Sequence, residues 1–443
     1  MPNHPAPIPE VCVLTLGCPK NEADSHTMAR QLSAAGVHVV EEPETAGCIV
    51  VNTCGFIKDA KEESIAAILD ACASYPDKEV FVMGCLVERY RAELEEGIPE
   101  VDGWFGVTDT EKLIALLTCR VTPGSSIGGR DDATGCLSLG SPYAYLKISD
   151  GCDEDCTFCA IPGIKGAYCV LDPSSILREA GACMNEGARE LVLVGQDTAI
   201  WKNGAMGLTD LVDVLAQDER LRWIRLMYLQ PEHVTDALLS HMARSPKLCR
   251  YLDIPFQHAN REVLRRMGRS GDGSTYLELL AHARRLMPDV SVRSTFIVGF
   301  PGETEEQFEE LMEFAGEAAF DHAGAFIYSP EEGTSASRLQ PRVPRRVALD
   351  RLNRLNAVLV ARAESEHARA ADSILTVMVD TLEVEDYGGE VSAIARTAGQ
   401  APDVDGVTYI EGGIPRGLAP GDLVDVLIVG AVGFDLVGRL ASA

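Results

Sequence analysis

Three apolar runs near the start of the chain, VCVLTLG (11–17), CIVVNT (48–53) and EVFVMG (79–84), are each followed by a stretch of helical period, at residues 24–35, 58–73 and 88–96. Strand and helix in alternation predict a parallel sheet with crossover helices. A polar, Gly/Ser-rich stretch at 122–135 breaks the pattern and reads as an interdomain linker. Beyond it YAYLKIS, ELVLVGQDT, WIRLMYL, YLDIPFQ, SVRSTFIVGF and HAGAFIYS supply six further strand candidates, with helical stretches between most of them. They predict a second α/β unit, either an open sheet or an incomplete barrel, and periodicity alone does not choose. A helical stretch at 345–372, rich in Arg, Ala and Leu, then leads into five short runs dense in β-branched residues and glycine. Those runs predict a small antiparallel barrel. The expected organisation is an N-terminal domain at 1–121, a linker at 122–138, a central domain at 139–372 and a C-terminal barrel at 373–443. No solenoid-type repeat is visible.

Composition agrees with a globular chain: 46% of the 443 residues are apolar and 24% are charged. The start, MPNHPAPIPEV, lacks the charged and apolar regions of a secretory signal, and no apolar run is long enough to span a membrane. A cytoplasmic protein without membrane attachment is expected. In a reducing compartment the fourteen cysteines read as thiols rather than bridges. The formal charge of −28 favours basic partners over phosphate backbones.

The sharpest chemical signal is Cys152-Asp-Glu-Asp-Cys156-Thr-Phe-Cys159, a CxxxCxxC directly after the strand YAYLKIS. Three thiolates on one loop can converge on a metal centre and leave it one ligand short of four. A structural zinc site would close with a fourth protein ligand, for which Cys169 is the nearby candidate. An iron-sulfur cluster with three cysteines instead exposes one iron to an exogenous ligand. The stretch, with Phe158 just before the last cysteine, resembles the signature of radical S-adenosylmethionine (SAM) enzymes. In that superfamily the methionine end of SAM chelates the open iron, and the reduced cluster cleaves SAM to a deoxyadenosyl radical.

Cys18, Cys54 and Cys85 share a second pattern, each sitting where a predicted strand passes into the loop before a helix. In an open parallel sheet the C-terminal strand ends share one edge, where ligands bind. Three cysteines at equivalent strand ends therefore point to a second metal centre, again with three protein ligands. Cys12 and Cys48, inside the strands, read as ordinary buried thiols.

Together these features resemble the methylthiotransferase family over nearly the whole chain. TLGCPKNEADS, KISDGCDEDCTFCAIP, GQDTAIW, DIPFQH and TFIVGFPGETEEQF match the branch that modifies a ribosomal protein; the tRNA-modifying branch typically has Gln and Met at Pro19 and Lys20. The resemblance implies a three-cysteine domain, a central radical SAM domain and a C-terminal barrel of the TRAM type. It implies two 4Fe-4S clusters and SAM as cofactors. Cys152, Cys156 and Cys159 would hold the SAM-cleaving cluster, and Cys18, Cys54 and Cys85 an auxiliary cluster that presents sulfur. The activity implied is methylthiolation of the β-carbon of an aspartate in small-subunit ribosomal protein number twelve, with flavodoxin or ferredoxin as electron donor. Cluster chemistry, rather than a protein acid or base, would carry the central step. One departure is Lys165-Gly166, where the family usually has Arg-Gly; a lysine keeps the charge and loses the bidentate fork.

Residues 374–443 contain eleven Asp/Glu and three Arg, a net of −8. That charge opposes direct RNA binding and suits a basic ribosomal protein docking on the barrel, although the whole chain shares the acidic bias. Two other readings stay open: the same chemistry on a tRNA adenosine, and a non-catalytic iron-sulfur electron carrier or redox sensor. Among weaker signals, Gln196, followed by Asp197 after ELVLVG, is a candidate for contacting SAM or substrate. Gly299 and Gly302 form either a SAM approach or a plain strand-to-helix turn. His258 is read as structural, and the arginines along 345–369 as a solvated interdomain helix.

Overall fold

The computed structural model describes residues 10–119, 141–384 and 391–441, so the expected linker at 122–138 lies outside the described residues. The chain forms two compact units. The first contains the N-terminal sheet and its helices together with Asp150–Asp153 and Ala160–Cys169, and the second contains the remainder of the central and C-terminal segments.

In the first unit the elements are β1 (Glu10–Thr15), α1 (Pro19–Ala34), β2 (His38–Val40), β3 (Cys48–Thr53), α2 (Lys58–Ser74), β4 (Glu79–Gly84), α3 (Cys85–Gly97), β5 (Gly103–Phe105), α4 (Thr110–Thr118) and α5 (Ile161–Lys165). The strands form one parallel sheet in the order β2-β1-β3-β4-β5. Two of them, β2 and β5, span three residues each, too few for a period to show in the sequence. Alternate residues of β3 and β4 reach opposite faces. Val50, Phe81 and Met83 pack with Met28 and Leu32 of α1 and Leu113 and Leu117 of α4. Ile49, Val51, Val80 and Val82 pack with Ile68 of α2 and Leu86 and Leu94 of α3. Burial on both faces is why these strands read as unbroken apolar runs, and each such side chain contributes about 1.5–3 kcal/mol on leaving water.

In the second unit six strands, β6 (Tyr143–Lys147), β7 (Glu190–Val194), β8 (Trp223–Leu226), β9 (Tyr251–Asp253), β10 (Ser291–Val298) and β11 (His322–Ile327), alternate with helices. They pair in parallel as β8-β7-β6 and β9-β10-β11, and a parallel bridge from Ile224 to Leu248 continues the first group toward the second. Between the two folds the sequence left open, the incomplete barrel is the one formed. Its core joins Leu146, Leu193, Leu226, Leu252 and Phe296 of the strands to Ile176, Leu211, Leu239, Leu280 and Leu311 of the surrounding helices.

A 24-residue helix, Arg345–Ala368, follows, and it is less solvated than its arginines suggest. Leu355 and Leu359 are buried, and so is Arg351, which donates to the Glu303 carbonyl and to Glu305. The guanidinium is accepted inside because acidic and carbonyl oxygens of the preceding segment meet it there.

The C-terminal strands β12 (Ile374–Val384), β13 (Val391–Thr397), β14 (Thr408–Ile410), β15 (Leu423–Val432) and β16 (Asp435–Leu440) close into a barrel in the order β12-β13-β14-β16-β15. The expected antiparallel barrel is corrected at one seam, since β14 and β16 run parallel. A closed ring of five strands has an odd number of seams, so it cannot alternate direction at all of them. A buried ion network ties this barrel to the strands of the larger one. Glu190 accepts from Arg225 and Arg396 at 2.7 Å each, and Arg396 also pairs with Asp380 at 2.6 Å. Part of the barrel's charge is therefore spent internally, while Glu411, Asp422 and Asp425 face solvent.

Candidate functional site

Cys18, Cys54 and Cys85 follow β1, β3 and β4, adjacent strands whose C-terminal ends share one edge of the sheet. The order places the chain reversal between β1 and β3, the position where open α/β sheets bind ligands. The loops are shorter than the sequence suggests. Cys18 is the N-cap of α1, with Pro19 preset for the first turn, and Cys85 is the first residue of α3. Both helices thus begin several residues earlier than their apolar period indicates, because the first turn of α1 is largely polar and the Cys85-Leu86-Val87 run that opens α3 is buried throughout and shows no period.

Glycines beside each cysteine let these three chain segments close on one another. Gly17 has φ +102°, and a Cβ there would stand 2.6 Å from the Cys54 Cβ and 3.0 Å from its sulfur. A Cβ on Gly55 would meet the Leu86 backbone at 2.7 Å, and one on Gly84, at φ +108°, would meet the Thr53 carbonyl at 2.6 Å. At Gly17 and Gly84 only glycine satisfies both the close approach and the positive φ. Polar side chains hold the arrangement from behind. Ser64 receives the Cys54 N–H at 3.1 Å and donates to the Cys54 carbonyl at 2.9 Å, and Thr53 donates to the Met83 carbonyl. Asn52 donates to the Asn21 carbonyl and to Ser25.

The three sulfurs sense one another. Burial pushes the Cys54 thiol up, and the neighbouring Cys18 adds to the shift. Burial pushes Cys85 up to about 12; the Lys165 ammonium opposes this, while Cys54 and Cys18 reinforce it. A metal that binds such thiols displaces their protons. Among the described residues no three His, Cys, Asp or Glu side chains form a group able to hold a single metal ion. Three thiols at one sheet edge are the donor chemistry of an iron-sulfur core held by three protein ligands. By contrast Cys12 and Cys48 are fully buried inside strands, as expected.

In the second loop, Cys152 lies in the segment that belongs to the first unit, and Cys156 and Cys159 belong to the second. The Cys152 N–H donates to the Gly166 carbonyl at 3.1 Å, and the Cys159 N–H to the Cys156 carbonyl at 3.1 Å. Thr157 anchors its stretch to the end of the helix Arg261–Arg266, donating through its N–H to Met267 and through its hydroxyl to the Arg266 carbonyl. Phe158 packs with Val263, Met267 and Phe300. Burial raises the Cys156 thiol, and Arg269, which hydrogen-bonds it, opposes the shift. Arg269 is a residue the sequence reading missed; no motif marks it, and only folding brings it to Cys156. Cys169 is exposed.

Gln196 lies beyond the C-terminal end of β7, and its Oε1 is buried without a hydrogen-bond partner among the described residues. A buried acceptor left unpaired costs about 1–3 kcal/mol unless a ligand satisfies it. Asp197 behind it is fully buried; burial raises its carboxyl, against the pull of the His233 ring that it contacts. Tyr228 and Gln257, past the ends of β8 and β9, have φ of +61° and +68°. Such conformations in non-glycine residues concentrate at functional edges. The Gly299–Gly302 stretch forms a strand-to-helix turn. Glu303 accepts from the Gly299 and Phe300 N–H groups, and a Cβ on Gly299 would press on Ala348 at 2.7 Å. His258 is buried and accepts from the Asn260 N–H at 2.9 Å, in keeping with a structural role.

Comparison with known proteins places these features. Residues 10–106 match an uncharacterized protein family, UPF0004, residues 146–315 match the Radical SAM superfamily, and residues 373–441 match the TRAM domain. The chain is 41% identical to a ribosomal protein uS12 methylthiotransferase RimO of Desulforudis audaxviator, covering 98% of this chain and 97% of that protein. It is 38% identical to the protein of the same name from Aquifex aeolicus, covering 98% of each. Its fold is similar to that of TsrM, a radical SAM methyltransferase of Kitasatospora setae, with a TM-score of 0.57, 13% identity, and 81% of this chain and 90% of that chain covered. A doubly wound sheet, an incomplete (β/α) barrel with CxxxCxxC and a closed C-terminal barrel together define an enzyme of the radical SAM methylthiotransferase class. Within that class the chain belongs to the ribosomal protein uS12 methylthiotransferase RimO family.

Proposed function

We infer that this protein inserts sulfur and a methyl group at the β-carbon of an aspartate in small-subunit ribosomal protein number twelve. The observation that carries the reading is the meeting of Cys18, Cys54 and Cys85 at one sheet edge, on segments that glycines allow to touch. Relatives named as uS12 methylthiotransferases at this coverage support it. Cys18, Cys54 and Cys85 hold an auxiliary 4Fe-4S cluster, and Cys152, Cys156 and Cys159 hold the cluster that binds SAM. When bound, the second cluster supplies the electron that cleaves SAM, and the auxiliary one supplies the sulfur. The chain's own residues bind and orient: Arg269 offsets the thiolate charge at Cys156, and Gln196 offers its unpaired oxygen to SAM or substrate. The domain at 1–121 presents sulfur, the domain at 139–372 cleaves SAM, and the barrel at 373–443 receives the basic substrate protein through its acidic exterior. A low-potential donor of the flavodoxin or ferredoxin type delivers the electron.

The test is a reaction of anaerobically reconstituted protein with SAM, reductant and the ribosomal protein, read by mass spectrometry of the product and by 5'-deoxyadenosine release. Methylthioaspartate is expected from the wild type. Replacing Cys18, Cys54 and Cys85 with alanine leaves deoxyadenosine formation and stops thiolation, whereas replacing Cys152, Cys156 or Cys159 stops both. Thiolation of a tRNA adenosine in place of the protein would overturn the substrate assignment.

A further inference from the structure

Lys165 stands at the end of α5, and its side chain is 7% exposed. Its ammonium lies 3.1 Å from Asp24 of α1 and 3.6 Å from Asp150, two residues ahead of Cys152. Three separate segments meet there, all within the first unit. Helix α1 opens at Cys18, Ile164 of α5 packs with Cys85, and Gly166 accepts the Cys152 N–H. A buried cation costs several kcal/mol in lost hydration, and it persists here because two carboxylates meet it. The ammonium and its carboxylates carry one net negative charge, so removing either sign changes the local field in opposite directions.

We propose that Lys165 is the positioning residue of the auxiliary thiolate site, its ammonium tying Asp24 of the helix that opens at Cys18 to Asp150 and supplying a fixed positive charge on the segment that packs with Cys85. This rests on the assignment of Cys18, Cys54 and Cys85 as cluster ligands. The position is one where the ion pair, rather than a hydrogen-bonding fork, meets the need. The two carboxylates are reached by a single nitrogen, so a lysine and an arginine both satisfy the charge. Ile164, the residue before Lys165, packs with Cys85, so the ammonium is carried on the segment that touches this cysteine.

The experiment uses the full chain with Cys152, Cys156 and Cys159 changed to alanine, so that only the auxiliary cluster reports. Iron is counted after anaerobic reconstitution, and the cluster is titrated reductively with detection by electron paramagnetic resonance. Removing a buried positive charge disfavours the more negative, reduced cluster. Lys165→Met is therefore expected to shift the reduction equilibrium about tenfold toward the oxidised form, equivalent to 59 mV for one electron. Lys165→Arg returns it to the wild-type value. Asp24→Asn moves it the other way, and this variant decides the matter if Lys165→Met fails to fold. A cluster whose potential is the same in all variants, or moves the same way in Lys165→Met and Asp24→Asn, overturns the proposal while leaving the ligand assignment intact. A parent chain that holds no iron overturns both.

Discussion

Substituting alanine for Gly17 tests the geometry on which the auxiliary site depends. The new Cβ would stand 2.6 Å from the Cys54 Cβ and 3.0 Å from its sulfur, in a residue at φ +102°. Real Cβ atoms do not approach that closely, so either the Gly17 loop or the Cys54 loop must move. A residue held in a sparsely populated φ region costs about 1–3 kcal/mol, and overpacking adds about 1–3 kcal/mol, so the arrangement loses of order 2–6 kcal/mol. Each 1.4 kcal/mol is a factor of ten, and the displaced atoms belong to a proposed cluster ligand. The cost therefore falls on metal retention before it falls on the fold. The assay counts iron and sulfide on anaerobically reconstituted protein beside its thermal melting. The wild type is expected to hold about eight irons and Gly17→Ala about four, because the CxxxCxxC loop keeps its own cluster. SAM cleavage continues and thiolation is lost. Gly97→Ala is the control: it lies at the end of α3 with nothing within 4 Å of its added Cβ, and both clusters should survive it. A Gly17→Ala protein with eight irons, wild-type melting and normal thiolation would refute the reasoning, since it would mean the three loops do not need to touch.

Other consequences are as concrete. Burial would raise the Glu190 carboxyl, but Arg225 and Arg396 outweigh it and hold the group below its ordinary 4.5. Its contribution to stability is thus present above pH 4.5 and lost as pH falls through the lowered folded value. Glu190→Gln should lose about 3–5 kcal/mol in urea at pH 7, by leaving two buried guanidiniums short of a partner, and should flatten the acid limb below pH 4.5. A variant with the wild-type acid profile would show that the carboxylate is not the titrating group. Gln196→Ala removes the unpaired Oε1 and should weaken SAM or substrate binding about tenfold, measured by SAM titration and by the KM of deoxyadenosine formation; unchanged binding of both would remove it from the site. Arg269→Met should lower iron retention at the CxxxCxxC loop while Arg269→Lys keeps most of it, and equal loss in both would point to packing rather than charge.

Much of the site was legible because its chemistry is written in short, local patterns. CxxxCxxC places its thiols on one loop whatever the surrounding fold, and strand periodicity alone put Cys18, Cys54 and Cys85 at strand ends. The features that escaped are non-local or too short. The strands at 38–40 and 103–105 are three residues each and show no period. Arg269 is brought to Cys156 only by folding. Arg351 looked solvated because it stands in an arginine-rich helix, and the acidic residues that accept it lie more than forty positions away.

By itself the sequence determined the alternation of elements, the placing of six candidate cysteines on one loop and at three strand ends, and the family resemblance, since each depends on residue type and spacing along the chain. Tertiary structure decided what depends on closure. It made the second α/β unit an incomplete barrel, forced one parallel seam into a ring of five strands, and set Lys165 between two carboxylates. The reason is that hydrophobic period and propensity act over a few residues, whereas ring closure, close glycine approach and buried ion pairs join segments far apart in the chain, where local pattern carries no information about the partner.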